Sequence, residues 1–180
     1  MHNDAHPPID RPSAWVQRWA ARIPAAGRVL DVACGSGRHA RWLAAHGHPV
    51  EAVDRDARAL GAIAGVAGIH TRAADLEGGP WPYAGEFFAG IVVVNYLHRP
   101  LFPQLLASLA PGGVLIYETF AVGNERYGRP SNPHFLLQPG ELLQIAHGCL
   151  EVIAYENLVV EVPRPAVVQR MCALNGAMAS

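Results

Sequence analysis

Gly35-Ser36-Gly37-Arg38-His39-Ala40 has the spacing of a nucleotide-type glycine loop, G-x-G-x-x-G/A. Glycines at these positions accept positive φ and let a ligand approach the backbone, because no side chain stands in the way. The pattern alone fits several ligands, and it also fits a tight turn that needs only glycine dihedrals. Two acids add chemistry to it. Asp54 follows the loop by about 20 residues, where a carboxylate can accept both hydroxyls of an adenosine ribose. Asp31 stands just ahead of the glycines. There it would repel a pyrophosphate and attract a ligand carrying an ammonium and a sulfonium. Alternatively, Asp31 is a polar group satisfied by the loop's own amides.

Other residues with reactive chemistry lie further on. His98 is a candidate general base, since an unperturbed imidazole titrates near neutrality, although a His beside Arg-Pro at a helix start also suits capping or packing. Tyr117 and Glu118 end a predicted strand and join His98 as catalytic candidates. The polar segment over 122–139 holds Asn124, Arg126, Tyr127 and Arg129, which with Tyr96 and His98 are candidate substrate contacts; a solvated loop is the competing reading. His46-Gly47-His48 lacks further ligands, so no metal site is expected. Cys34, Cys149 and Cys172 are too scattered for a disulfide framework or a structural zinc site. Every basic residue is Arg, which excludes a lysine Schiff base or a P-loop lysine.

The elements that must position these residues alternate. Trp15, Trp19 and Ile23 recur at helical spacing behind a Ser13 cap, so a short helix is expected over 13–23. Strands are expected over 28–33, 50–54, 69–73, 87–95 and 114–120, and helices over 38–46, 56–64 and 101–109. Alternation of this kind predicts a parallel sheet covered on both faces, and the unbroken run Ile91-Val92-Val93-Val94 suits its centre. After a helix over 141–146, two further strands are expected at 150–161 and 167–174. Only Pro163-Arg164-Pro165 lies at the core of the turn between them. A parallel crossover needs a dozen or more residues, so this pair must form an antiparallel hairpin.

The chain has 180 residues, 51% hydrophobic and 16% charged, which suits one domain over 1–180 with a sizeable core. A net charge of −1 supplies no basic field for general nucleic-acid binding. No apolar run approaches a membrane span, and the start, with His2 and Asp4, lacks the basic and apolar regions of a secretory leader. A cytoplasmic protein with no membrane partner is therefore expected; oligomeric state stays open.

Val29-Leu30-Asp31-Val32-Ala33-Cys34-Gly35-Ser36-Gly37-Arg38 resembles motif I of the class I S-adenosylmethionine-dependent methyltransferases. Asp54 resembles that family's ribose-binding acid, Asp75-Leu76-Glu77 its adenine-binding motif, and Pro111-Gly112-Gly113 its turn before strand five. One departure is Ala33, where the family usually has its first Gly. The resemblance implies a Rossmann-like, seven-stranded, mostly parallel α/β sheet with helices on both faces and a C-terminal antiparallel hairpin. It implies S-adenosyl-L-methionine as cofactor and S-adenosyl-L-homocysteine as product. The implied cofactor-binding residues are Asp31, Ala33, Cys34, Gly35, Ser36, Gly37, Asp54, Arg55, Asp75, Leu76 and Asn95, with the N-terminal helix packing over the site. The chain's size is similar to that of the small-molecule and tellurite-resistance-type members, which implies a small acceptor, including thiol, selenium or tellurium species. After strand four the chain reads Asn95-Tyr96-Leu97-His98 and lacks an Asn-Pro-Pro-aromatic motif, which speaks against methylation of adenine or glutamine amides by the familiar route. An RNA or protein methyltransferase, kept open by Arg126 and Arg129, and a non-catalytic cofactor-binding module are the alternatives.

Overall fold

A computed structural model describes residues 11–176. His2 and Asp4, which bear on a leader, lie outside the described residues. Seven strands form one sheet: β1 Val29–Val32, β2 Val50–Asp54, β3 Ile69–Ala73, β4 Phe88–Val94, β5 Leu109–Phe120, β6 Glu151–Val160 and β7 Ala166–Leu174. Their order is β3-β2-β1-β4-β5-β7-β6. The first five run parallel, and β7 pairs antiparallel with both β5 and β6. The short Pro163-Arg164-Pro165 connection thus has the antiparallel outcome that its length demands.

β4 lies at the centre of the sheet, as its apolar run requires. Side chains alternate across a strand, so Ile91 and Val93 enter one core and Val92 and Val94 the other. The first core is covered by α4 Phe102–Ala107 and α5 Glu141–Ala146, through Phe102, Leu105 and Leu142. The second is covered by α1 Ala14–Trp19, α2 Arg38–Ala45 and α3 Ala57–Gly61, through Trp15, Leu43 and Leu60. No helix among the described residues is long and apolar enough to cross a membrane.

Several boundaries differ from the periodicity. The helix expected over 13–23 tightens after Trp19 into a 3-10 turn, Ala20–Arg22, which lets Ile23 pack over Gly90 of β4. The helix expected over 101–109 begins as a 3-10 turn, Arg99–Leu101, and ends at Ala107. β5 starts earlier than expected, at Leu109. Phe88 pairs with Leu109 and Gly90 with Val114, so Pro111-Gly112-Gly113 bulges out inside the strand, with Gly112 at φ +74°. The segment over 122–139 is more ordered than its polarity suggests. It carries 3-10 turns at Asn124–Arg126 and Pro133–Phe135 and an isolated parallel bridge from Ala121 to Leu137, and Leu136 and Leu137 are buried.

Candidate functional site

All five parallel strands release their chains at one edge, where open α/β sheets present loops to ligands. Ala33 follows directly on β1 and adopts φ +52°. The left-handed conformation costs an L-residue roughly 1–2 kcal/mol, which is why glycine is the natural occupant there. The Cys34 amide bonds the Val53 carbonyl at 3.0 Å, stitching the loop to β2. Gly35 follows at φ +54°, with open space where a Cβ would stand. Gly37, at φ +75°, leads into α2; a Cβ there would come within 2.6 Å of Ile63, so both backbone and packing require glycine.

Asp54 is joined to this loop directly. Its Oδ2 accepts from the Gly35 amide at 2.8 Å, and its Oδ1 accepts from the Asp56 amide at 2.9 Å. These bonds hold the glycine turn and the end of β2 in one arrangement. Each oxygen retains lone-pair capacity toward the cleft. That cleft, about 190 Å3, is lined by Ala33, Asp54, Arg55, Asp75, Leu76 and Tyr96. The carboxylate of Asp75 turns back on its own loop and accepts from the Glu77 amide at 3.0 Å. Bonds from the Glu77 and Gly78 amides hold its carboxyl below the usual range. Tyr96 hydrogen-bonds the Glu77 side chain, while partial burial and that acid push its phenol upward.

Asp31 projects from β1 beneath the loop and is 1% exposed. The Ala40 backbone hydrogen-bonds its carboxyl, yet Oδ2 has no partner among the described residues. Burial pushes its carboxyl up to about 7, with Asp54 adding to the effect and Ala40 and Arg38 opposing it. A buried, partly unsatisfied acid costs free energy that a cationic ligand would offset. Beside it a second recess is lined by Cys34, Gly35, Ser36, His39, Val94 and Asn95. Asn95 adopts φ +58°, a conformation that Asn tolerates better than most residues, and its amide bonds the Glu118 carbonyl at 2.9 Å. Cys34 is buried, which pushes its thiol upward and leaves it neutral. The orphaned Asp31 oxygen, the open face of Gly35 and the Asp54 carboxylate suit a ligand with a cationic end and a ribose.

The remaining candidates are distributed unevenly. Glu118 faces the ligand edge, where it accepts from Ser13 Oγ at 2.7 Å and Arg170 at 3.3 Å. Tyr117 points to the opposite face, 1% exposed, and its hydroxyl donates to the Tyr96 carbonyl at 2.8 Å. It stands behind the site as a packing residue. His98 is half-buried just ahead of the Arg99–Leu101 turn, close enough to Asp75 to add to the lowering of that carboxyl, and so lies on the Asp75 side of the cleft. Asn124 is buried and pins the loop, donating to the Pro130 carbonyl and accepting from the Val167 amide. Arg126 turns back to the Gly123 carbonyl, Tyr127 and Arg129 are exposed, and none of these three lines the cavities around Asn95.

A larger cavity, about 290 Å3, adjoins the recess and shares Arg38 and Asn95 with it. Its wall includes Ser13 and Gln17 from the start of the chain, Phe120 from β5, and Val162 and Arg170 from the hairpin. None of these residues forms a motif. The nearest sequence signal was the Ser13 cap, which locates a helix end and says nothing about the distant strand it meets. His46 and His48 bond the Trp42 and Gly27 carbonyls separately, and no cluster of metal-binding side chains occurs among the described residues.

A family model described as a methyltransferase domain matches residues 5–150. No curated protein matches the sequence. Among solved structures, TehB from Haemophilus influenzae superposes with a TM-score of 0.70 at 20% identity, over 87% of this chain and 60% of that one. The chain thus spans about 60% of the length of TehB. The N-methyltransferase NodS from Bradyrhizobium japonicum WM9 gives 0.71 at 20% identity, over 90% and 93%. The glycopeptide N-methyltransferase MtfA, solved with S-adenosylhomocysteine, gives 0.63 at 16%, over 89% and 88%. At these identities the likeness is one of fold.

Proposed function

The chain belongs to the methyltransferase domain family, and from that premise we propose that it is a class I S-adenosylmethionine-dependent enzyme that methylates a small molecule bound in the cavity beside Asn95. The observation that carries this reading is the continuity of that cavity with the recess over the glycine loop, through Arg38 and Asn95. Its volume of about 290 Å3 suits a small acceptor better than a polymer. The 180 residues act as one catalytic domain, with α1 packed over the site.

The bound cofactor supplies an electrophilic methyl group and a neutral thioether as leaving group, so the protein's task is alignment rather than activation. Asp54 accepts from the ribose hydroxyls while keeping the Gly35 amide in place. The Leu76 amide and the Asp75 loop border the adenine. The Asp31 carboxylate neutralises the cationic end from beneath the loop, and the Asn95 backbone borders the path to the acceptor. Glu118, held by Ser13 and Arg170, is the carboxylate facing the cavity and orients the acceptor's hydrogen. The α1 segment keeps water from the transfer zone.

Two measurements test this. Purified protein with S-adenosylmethionine and a panel of small amines, hydroxy acids, thiols, selenols and tellurium oxyanions should release S-adenosylhomocysteine with some members and none without acceptor. Calorimetry should show S-adenosylhomocysteine binding, with Asp54→Ala weakening it by about 2–4 kcal/mol in a folded protein, since charged acceptors for two hydroxyls are lost. Unchanged affinity in that variant overturns the assignment of Asp54.

A further inference from the structure

The acceptor cavity is chemically uneven, and its unevenness specifies an occupant. Phe120, Val160 and Val168 give it an apolar wall, and Val162, 83% exposed at the hairpin turn, carries that surface to the rim. Four guanidinium groups line it, from Arg11, Arg38, Arg164 and Arg170, against the single carboxylate of Glu118. Arg170 is engaged, donating to Glu156 at 2.7 Å and to Glu118 at 3.3 Å. Arg38 feels the charges of Asp31 and Glu118. Arg11, ahead of α1, and Arg164, in the hairpin turn, make no ion pair among the described residues, and both are exposed. The two segments that bound the cavity therefore each bring a cation to an apolar wall.

We infer that the methyl acceptor is an amphipathic anion. Its apolar body lies along Phe120, Val160 and Val168, its negative group meets Arg11 and Arg164, and the atom to be methylated sits at the Glu118–Asn95 end. A cationic acceptor would face net repulsion, and a neutral one would leave both guanidinium groups unused. An inorganic oxyanion would satisfy the charges but leave the apolar wall uncovered. A guanidinium fork matches a carboxylate or phosphate well, and an apolar stem of several carbons fills the rest. The inference deepens the proposed function and rests on it.

The test uses the full chain loaded with S-adenosylhomocysteine, whose binding is measured first. A chain that does not bind that ligand refutes the methyltransferase reading itself. On the loaded protein, octanoate, 1-octanol and octylamine are titrated by calorimetry, since they share one chain length and differ in charge. Octanoate should bind at least about tenfold more tightly than either of the others, the scale of one charge-assisted contact. The Arg11→Ala/Arg164→Ala double variant, altered at exposed positions, should lose about tenfold in octanoate affinity while binding S-adenosylhomocysteine as before. Equal binding of the three probes, absence of binding by all three, or octanoate binding unaffected in the double variant overturns the inference and leaves the cofactor site standing.

Discussion

The hydroxyl of Ser13 donates to Oε1 of Glu118 at 2.7 Å, joining residues 105 positions apart. Ser13 Oγ also accepts from the Trp15 amide at 3.0 Å, capping α1, and the Ser13 amide donates to Nε2 of His39 at 3.1 Å. One residue thus ties α1 to α2 and to the end of β5, at the cavity wall. Behind it Trp15 is 2% exposed, with the Arg170 guanidinium 4.7 Å from its ring centroid.

Ser13→Ala removes a helix cap and a bond to a carboxylate together. The expected loss of stability is about 1–3 kcal/mol, read from urea unfolding. Ser13→Thr, which keeps the hydroxyl, should recover most of it. A loss no larger than that at an exposed helix position would mean that α1 is held by Trp15 alone.

Asp31 should set a pH dependence for cofactor binding. Its folded-state carboxyl lies near 7, so below that value the free protein carries a proton there. A sulfonium and an ammonium favour the carboxylate, so binding must expel the proton. Affinity for S-adenosylmethionine should therefore rise from about pH 5 to about pH 7 and level off above, by up to tenfold per unit. Calorimetry at about pH 6 in buffers of different ionisation enthalpy should register proton release. Asp31→Asn should bind weakly at every pH with no proton release; a retained pH slope in that variant assigns it elsewhere.

His39 acts in the opposite sense on folding. It is 3% exposed, and burial pushes its imidazole down to about 3, with Arg38 adding to the effect. The folded chain keeps it neutral as the acceptor for the Ser13 amide, whereas the unfolded chain protonates it below about 6.5. Its contribution is complete above about pH 6.5 and is lost as pH falls toward 3. Asp31, with its raised value, contributes a change of opposite sign between about 4 and 7, so the test is comparative. Between about pH 7 and about pH 5 the parent should lose about 2 kcal/mol more than His39→Gln. Parallel pH profiles would remove His39 as the source.

Ala33 is the place where the loop departs from a glycine, and its φ of +52° shows what the departure costs. Ala33→Gly should relieve left-handed strain that exceeds the added entropy of the unfolded chain, for a net gain of about 0.5–1 kcal/mol. Thermal unfolding would show a higher midpoint. Ala33→Val should lower it, because a β-branched side chain fits that region worst.

Much of the molecule was legible in order and spacing. Strand–helix alternation specified a parallel sheet, the apolar run at Ile91–Val94 specified its centre, and a three-residue turn core at Pro163-Arg164-Pro165 excluded a crossover. Asp31, the Gly35–Gly37 loop and Asp54 come together at one edge of the sheet as their spacing suggests, because a strand, a tight turn and a helix are short-range structures with local signals. The neighbouring cavity was not legible. Tyr117 and Glu118 are neighbours in sequence and candidates of equal standing, yet strand alternation sends one into the core behind the sheet and the other to the ligand edge. Asn124 reads as a candidate substrate contact and becomes a buried pin through bonds to Pro130 and Val167. The cavity proposed for the acceptor joins the segment ahead of α1, the end of β5 and the β6–β7 hairpin. Its residues meet only when the sheet closes with β7 between β5 and β6. Contacts at that separation depend on how faces pack and which charges find partners, and no local pattern of residue types encodes either.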